Sequence, residues 1–379
     1  MKKKIFMFSR DPGGTNAILP LVKPLRERGH EVILYGKDVA LNIYRQNGLD
    51  VNDITDYVSR IEIFEIETLL RNVHSDCILT GTSIEDFTER YLWKASEKCN
   101  IPSFAILDQW INYGIRFSKY GAYQSDIYKD DKVHPFLPMR ILVMDEIAKR
   151  EAILDGLEAS RIEITGQPYF ETLMQKMDYI TQSTIQDIRK QINVEKNDFV
   201  ITFASEPVSV DYRGNIDEQD YWGFTEKTIF EELIKAIEDV AIGFKGKISI
   251  IIKLHPREGK NSYMDVIEHF NNNNVKIALV ENFDSCSLIA ASNLVCGMSS
   301  MFLIEAAVTG KPVISITIGL KRESPFILDR IGVLKSVLSA EELREKLKLI
   351  MIDSTFIRPQ LNLIKNPVER TLDLLESCV

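Results

Sequence analysis

Short apolar runs alternate with helical patterns along almost the whole chain, and this alternation most constrains the fold. An apolar run at 5–8 is followed by a glycine-containing loop, a helical pattern at 15–28 and a second apolar run at 31–35. The run Ile-Ser-Ile-Ile-Ile-Lys at 248–253 is almost continuously apolar, as expected of a strand buried inside a parallel sheet. This order of elements predicts parallel sheets joined by right-handed crossover connections.

The length of the chain and the repetition of the pattern predict two domains. A chain of 379 residues is too long for one ordinary domain and fits two of about 150–200 residues each. The strand and helix signals fall into two similar series, separated by a polar helical stretch at 181–193. We predict an α/β protein of two Rossmann-like, doubly wound parallel-sheet domains that face a cleft, with a boundary near 170–195.

Composition excludes several classes of protein. Acidic residues outnumber basic ones by 55 to 46, which gives a net charge of −9. Such a chain repels nucleic acid and anionic lipid, so we expect no nucleic-acid partner and at most peripheral contact with a membrane. The five cysteines are scattered along the chain and show no metal-binding spacing. This pattern argues against both a disulfide framework and a zinc site. No apolar run reaches the length of a membrane span or a secretory signal, so we expect a cytoplasmic protein.

The residues that follow each strand are the candidates for a site, because ligands of open parallel sheets bind at the carboxyl ends of the strands. The strand at 248–253 ends at Lys253 and leads into Leu254-His255-Pro256-Arg257. Lys253 and Arg257 supply positive charge and His255 supplies a hydrogen-bond donor, which suits a phosphate. A solvated, charged loop is the alternative interpretation.

A second candidate loop follows the strand at 294–296. Ser299 and Ser300 stand where a helix begins, and hydroxyls beside unpaired backbone N–H groups bind anions there. Glu305 lies further along the same helix, at a position suited to accepting hydrogen bonds from ribose hydroxyls. The alternative is simple capping of the helix by serine.

Ser205 and Glu206 follow the strand at 199–203 and are expected to border the cleft. Together with the loops at 253–257 and 299–300, they belong to one predicted sheet. Two anion-binding loops at one edge of a sheet predict a site for the monophosphate or diphosphate of a nucleotide.

The first half of the chain offers two candidate carboxylates. Asp11 follows the first strand, and the next residues include Gly13 and Gly14, which would let the backbone approach a ligand closely, and Thr15, which is predicted to cap the helix. Asp108 follows a strand at 103–107 and stands beside aromatic residues, where a carboxylate can serve as a general base. A tight turn without a ligand and a capping role for Asp108 are the alternatives.

These residues together resemble the GT-B superfamily, which includes many nucleotide-sugar glycosyltransferases and the UDP-N-acetylglucosamine 2-epimerases. The resemblance rests on the Gly13-Gly14 turn, Arg28-Gly29-His30-Glu31-Val32, Thr165-Gly166-Gln167-Pro168, and Gly310-Lys311-Pro312-Val313 after a helix with Glu305-Ala306-Ala307. His255-Pro256 with Ser299-Ser300 is similar to the HP and S-S motifs that bind nucleotide phosphate in bacterial sialyltransferases, and similar residues occur in CDP-glycerol transferases.

The resemblance implies a GT-B fold with two domains of different roles. An acceptor domain at 1–175 would be completed by a C-terminal helix at 360–379, and a nucleotide-donor domain would span 185–355. The donor site would include Gly13, Gly14, Ser205, Glu206, Lys253, His255, Arg257, Ser299, Ser300 and Glu305.

The leading prediction is a glycosyltransferase of surface polysaccharide synthesis that needs no metal and no cofactor besides its nucleotide-sugar donor. Asp11 or Asp108 would take the proton from the hydroxyl of a glycan or lipid-linked acceptor. The aperiodic stretch at 111–138, predicted as a long loop, favours a second substrate. The alternatives are a nucleotide-sugar 2-epimerase, a CDP-glycerol-type polyol phosphate transferase and a nucleotide-sugar binding protein without turnover. The nucleotide base, the sugar, the acceptor and the oligomeric state stay open.

Overall fold

The computed structural model describes residues 2–211, 221–281, 283–356, 358–359 and 361–377. Its strands are β1 Lys4–Ser9, β2 Glu31–Gly36, β3 Asn52–Asp53, β4 Cys77–Thr80, β5 Ser103–Ile106, β6 Arg140–Val143, β7 Ile162–Ile164, β8 Phe199–Ala204, β9 Ile248–Lys253, β10 Val275–Val280, β11 Leu294–Gly297 and β12 Val313–Ser315.

The α-helices are α1 Pro12–Glu27, α2 Val39–Gln46, α3 Ile63–Val73, α4 Thr88–Cys99, α5 Ser125–Asp130, α6 Glu146–Leu154, α7 Pro168–Asp178, α8 Gln182–Gln191, α9 Val208–Asp211, α10 Glu226–Ala241, α11 Met264–His269, α12 Ser285–Ala291, α13 Met301–Val308, α14 Ile327–Arg330, α15 Ala340–Met351 and α16 Pro367–Ser377. Among the described residues, no helix combines the length and the apolar character that crossing a bilayer requires.

The chain forms two compact units. Unit 1 comprises Met1–Thr172 and Asn362–Val379, and unit 2 comprises Leu173–Leu361. Each unit is built on one parallel sheet, so the prediction of two parallel-sheet α/β domains is confirmed. The domain bounds and roles given above stay predictions.

The sheet of unit 1 has seven parallel strands in the order β3-β2-β1-β4-β5-β6-β7. The interior strand β1 pairs with β2 from Lys4 to Ser9 and with β4 from Ile5 to Phe8. Its side chains from position 5 to 9 are all buried, because helices cover both faces of a parallel sheet and leave no polar side. The carboxyl ends of β1, β4 and β5 therefore meet at one edge of this unit.

The last helix, α16, packs against α1 within unit 1. Arg28, which follows α1, donates to Asp373 at 3.1 Å and to Glu376 at 2.9 Å. His30 Nε2 lies 2.8 Å from the Glu376 carboxylate, and this pairing lowers the pKa of Glu376. These contacts attach the end of the chain to the first helix and the turn that follows it.

The sheet of unit 2 has five parallel strands in the order β10-β9-β8-β11-β12. Strand β8 is central and pairs with β9 on one side and β11 on the other. The loops that follow β9 and β11, which carry His255 and Ser299, are thus separated by the loop that follows β8. This order gives Ser205 and Glu206 the middle position at the edge of the sheet.

Two local predictions differ from the structure. Thr15 lies inside α1 and does not cap it; the N-cap is Asp11, because Pro12 opens the helix with a fixed φ and no N–H. The Thr15 hydroxyl donates instead to the Asp11 carbonyl at 2.7 Å. The stretch at 111–138 contains helix α5 and 3₁₀ turns at Gly114–Phe117 and Ala122–Gln124, so it is not a loop throughout.

Candidate functional site

In unit 2, the loops after β8 and β11 approach each other closely at the carboxyl edge of the sheet. A Cβ built on Gly297, the last residue of β11, would lie 2.6 Å from the Ala204 carbonyl oxygen at the end of β8. Glycine is required at this approach because any side chain would force the two strands apart. The loop with Glu206 is thereby held beside the start of α13.

The His255 loop is fixed by a hydrogen-bond network that the sequence did not predict. The Glu258 carboxylate accepts from the His255 backbone N–H at 2.9 Å and from the Ser205 hydroxyl at 2.7 Å. The Ser205 hydroxyl also contacts the Tyr263 hydroxyl. Burial raises the pKa of Glu258, although the Ser205 and His255 hydrogen bonds oppose the shift. Glu258 and Tyr263 thus fix the His255 loop relative to the Ser205 loop.

The same network defines the tautomer of His255. The Arg257 backbone N–H donates to His255 Nδ1 at 3.2 Å. A nitrogen that accepts carries no proton, so the neutral ring has its proton on Nε2 and offers a donor there. Arg257 itself is exposed. This hydrogen bond favours the tautomer of His255 that donates from Nε2, and the ligand contacts of both residues stay predictions.

Lys253 brings a cation to the start of α13. Its ammonium lies 5.2 Å from the centroid of the Phe302 ring, in the first turn of that helix. Within the part of the chain that the structure describes, Lys253 forms neither a hydrogen bond nor an ion pair. Burial lowers the pKa of Lys253, and the charges of Glu305 and Glu258 oppose this shift. A partly buried ammonium that forms no ion pair or hydrogen bond among the described residues favours binding of an anion at this position.

Ser299 and Ser300 have different partners at the start of α13. The Ser300 hydroxyl caps the helix by accepting from the Phe302 N–H at 3.2 Å, as the capping interpretation expected. Ser299 instead donates from its backbone N–H and from its hydroxyl to the Glu206 carboxylate, each at 3.0 Å for the nearer oxygen. In this structure a carboxylate of the protein thus occupies the predicted anion site.

Glu305 is a buried carboxyl group without full hydrogen bonding. Its side chain lies in α13, and the residue is only 8% exposed. Burial raises its pKa to about 8, an effect that Lys253 partly offsets. Counting only described residues, Glu305 Oε2 has no hydrogen-bond partner. An acceptor left unpaired in the interior suits a ligand hydroxyl, and the role of Glu305 toward ribose stays a prediction.

In unit 1, the glycine turn after β1 packs against protein groups. A Cβ on Gly13 would overlap the Asp108 carboxylate, and one on Gly14 would lie 3.0 Å from Gly81 Cα after β4. The two glycines are therefore needed for the approach of the β4 and β5 loops. This contact brings Asp11 and Asp108 to the same edge of the sheet, where the Asp11 charge helps to raise the pKa of Asp108.

Asp108 is held by groups that the sequence did not single out as site residues. Arg116 Nη1 lies 3.4 Å from Asp108 Oδ1 and donates to the Thr82 hydroxyl at 2.9 Å. Gln167 donates to the Asp108 carbonyl at 3.2 Å. Asp108 is 4% exposed, and burial raises its pKa although the nearby Arg116 opposes the shift. A carboxyl group with a raised pKa and a fixed position is suited to taking up and returning a proton.

A second buried carboxyl group in unit 1, Glu89, was missed by the sequence analysis. It lies in the first turn of α4, is 1% exposed, and neither of its oxygens has a hydrogen-bond partner among the described residues. Burial raises its pKa to about 8, and the charges of Asp11 and Asp86 add to the effect. The sequence predicts that Glu89 lies in a helix. It does not predict that the side chain is buried, or that other acidic side chains lie near it.

The described residues contain no group of three or more His, Cys, Asp or Glu placed to hold a metal ion. Metal independence stays a prediction, since this observation concerns the protein ligands alone.

Comparison with known proteins places the fold but not the family. No family model and no curated protein matches the chain. The UDP-GlcNAc 2-epimerase of Methanocaldococcus jannaschii superposes with a TM-score of 0.69 at 16% identity, over 99% of both chains. The Neisseria meningitidis UDP-GlcNAc 2-epimerase bound to UDP-GlcNAc gives 0.66 at 15% identity, over 99% of this chain and 100% of the other.

A third solved structure, Anabaena HepE in complex with UDP-glucose, gives a TM-score of 0.57 at 16% identity, over 93% of this chain and 90% of the other. At these sequence identities, the structural similarity to the three proteins shows the fold of this chain alone. The GT-B-like architecture, with its two parallel-sheet units, is thereby confirmed.

Proposed function

We propose that this protein is an enzyme that acts on a nucleotide-linked sugar and holds the phosphates at the carboxyl edge of the unit 2 sheet. The observation that carries the proposal is Lys253, a partly buried ammonium that forms no ion pair or hydrogen bond among the described residues, beside the start of α13. His255, in its donating tautomer, and the start of α13 add hydrogen-bond donors along the same edge. Solved structures of the same fold bound to UDP-GlcNAc and UDP-glucose support this choice of ligand.

For the reaction, we favour epimerisation at the carbon next to the anomeric centre over glycosyl transfer. In inversion by proton transfer, the C–H bond at this carbon breaks on one face and forms again on the other. Its electron pair would form a double bond to the anomeric carbon as the bond from that carbon to the nucleotide diphosphate breaks, and re-addition of the diphosphate would reverse the step. Unit 1 contains two buried carboxyl groups, Asp108 and Glu89, whose raised pKa values suit such proton exchange. The epimerase structures also match this chain from end to end. Asp108 would exchange the proton on one face of this carbon, since it follows a strand at the ligand edge of the sheet, and a different proton donor would serve the other face. Arg116 would hold its carboxylate in place.

The experiment that tests this proposal is incubation of the protein with UDP-GlcNAc in D₂O, without an acceptor. Epimerisation through proton removal predicts deuterium at C2 of the sugar, detected by NMR and mass spectrometry. The variant Asp108→Asn should abolish the exchange, while Glu97→Gln, on the exposed face of α4, should not alter it.

The other outcomes identify the competing functions. Release of UDP that depends on an added glycan acceptor, with no deuterium at C2, would favour glycosyl transfer. Tight binding of UDP-GlcNAc without any turnover would favour a binding protein.

A further inference from the structure

The start of α13 already holds an anion, the side chain of Glu206. Ser299 N–H lies 3.2 and 3.0 Å from the two carboxylate oxygens, and the Ser299 hydroxyl lies 3.4 and 3.0 Å from them. Two donors of one residue thus converge on both oxygens of one carboxylate. This is the geometry in which a helix start binds a phosphate group.

An independent feature indicates that a ligand uses this region. Glu305 belongs to the same helix, is more than nine-tenths buried, and keeps Oε2 unpaired among the described residues. Its electrostatic partner Lys253 lies over Phe302 in the first turn. Buried polar groups are almost always satisfied, so these side chains indicate a binding partner other than Glu206.

Glu206 cannot share its position with a phosphate. Two anions on the same N–H and hydroxyl would compete for the same donors and repel each other. A side chain at this place that served the phosphate directly would be expected to be basic or neutral, as Lys253 and His255 are.

We propose that Glu206 is an internal competitor of the ligand. Its carboxylate occupies the phosphate site of the ligand-free protein, and a ligand phosphate must displace it. The inference rests on the proposed function for the identity of the ligand, and it changes the predicted role of Glu206 from donor binding to exclusion. Displacement requires an anion that binds the Ser299 donors better than a carboxylate does. The site therefore selects for phosphate and diphosphate groups against carboxylate-bearing metabolites.

The test uses inorganic pyrophosphate as the probe, titrated by isothermal calorimetry into the full-length protein and its variants. Glu206→Gln keeps the size of the side chain and removes its charge, and Glu206→Ala removes it altogether. We expect both variants to bind pyrophosphate at least tenfold more tightly than the unmodified protein. A second measurement, inhibition of pyrophosphate binding by acetate and citrate, should become stronger in both variants.

Two further variants identify where the gain arises. Glu281→Gln removes one negative charge after β10 at the same sheet edge, where Glu281 pairs with Lys260 at 3.1 Å, and should change the affinity less than twofold. Adding Ser299→Ala to Glu206→Gln should abolish the gain. Thermal melts of all variants show whether each has folded.

The inference is overturned if folded Glu206→Gln and Glu206→Ala bind pyrophosphate no more tightly than the unmodified protein. It is also overturned if the gain persists in the double variant, because the anion would then bind elsewhere. Failure of the proposed function is a separate result. It would appear as an absence of UDP-GlcNAc binding and turnover even when pyrophosphate binding responds to Glu206 as expected.

Discussion

Replacing Glu89 with glutamine should change how the stability of the protein depends on pH. Glu89 has a pKa of about 8 in the folded protein and an ordinary value of 4.5. A carboxyl group whose pKa is raised by folding contributes full stability below its unfolded pKa, and this contribution is lost as the pH rises through the folded value. Between these limits the free energy of unfolding falls by about 1.4 kcal/mol per pH unit.

The measurement is best made from pH 6 to pH 9, above the sequence pI of 5.3. Between pH 6 and pH 8 the unmodified protein should lose about 2–3 kcal/mol relative to Glu89→Gln, whose side chain does not titrate. The difference should level off above pH 8. The quantity to compare is the slope of the unfolding free energy against pH. Burying an amide in place of a carboxyl group has a cost that is the same at every pH, so it does not affect this slope.

Urea unfolding at each pH, followed by circular dichroism and by tryptophan fluorescence, measures the difference. Trp93 lies in α4 with Glu89 and reports on unit 1. The matched control is Glu97→Gln on the same helix, whose exposed carboxylate pairs with Lys94 at 2.6 Å and should alter the slope by less than about 0.5 kcal/mol over the range. Parallel curves for the unmodified protein and Glu89→Gln would refute the account of Glu89 as a buried, protonated group.

Two further predictions concern the two sheet edges. Gly13→Ala should lower turnover of UDP-GlcNAc about a hundredfold without a comparable loss of substrate affinity, because the added Cβ would displace the Asp108 carboxylate. Unchanged turnover in a folded variant would contradict the placement of Asp108. Lys253→Met should weaken UDP binding at least tenfold in calorimetry while leaving the melting temperature equal or higher, since a partly buried ammonium that forms no ion pair costs free energy. Lys276→Met, on the neighbouring strand and exposed, should change neither quantity, and equal losses in both variants would contradict the site.

The sequence was sufficient for the fold class because its signals are local. The run at 248–253 has no polar face, and the alternation of runs with helical patterns admits only parallel sheets. The first residue of each helix was harder to predict than the fold class. Thr15 looked like a cap, but Pro12 three residues earlier favours the first helical turn and moves the N-cap to Asp11.

The site could be predicted only in part because the order of strands in space is not local information. His255 and Ser299 were expected at one sheet edge, and they lie there, but on strands separated by β8. That insertion places Glu206 against Ser299, a contact between residues 93 positions apart that no spacing predicts. The same holds for Arg116 with Asp108 and for Glu89, whose pKa depends on acids from other elements.

The central claim, that the unit 2 edge binds the phosphates of a nucleotide, is tested most directly by titrating UDP into the unmodified protein and into His255→Ala by isothermal calorimetry. We predict saturable one-to-one binding to the unmodified protein and at least tenfold weaker binding to the variant, because the donor at Nε2 is lost while the backbone of the loop stays anchored by Glu258. Absence of binding to the unmodified protein, or equal affinity in a folded His255→Ala, would contradict the claim.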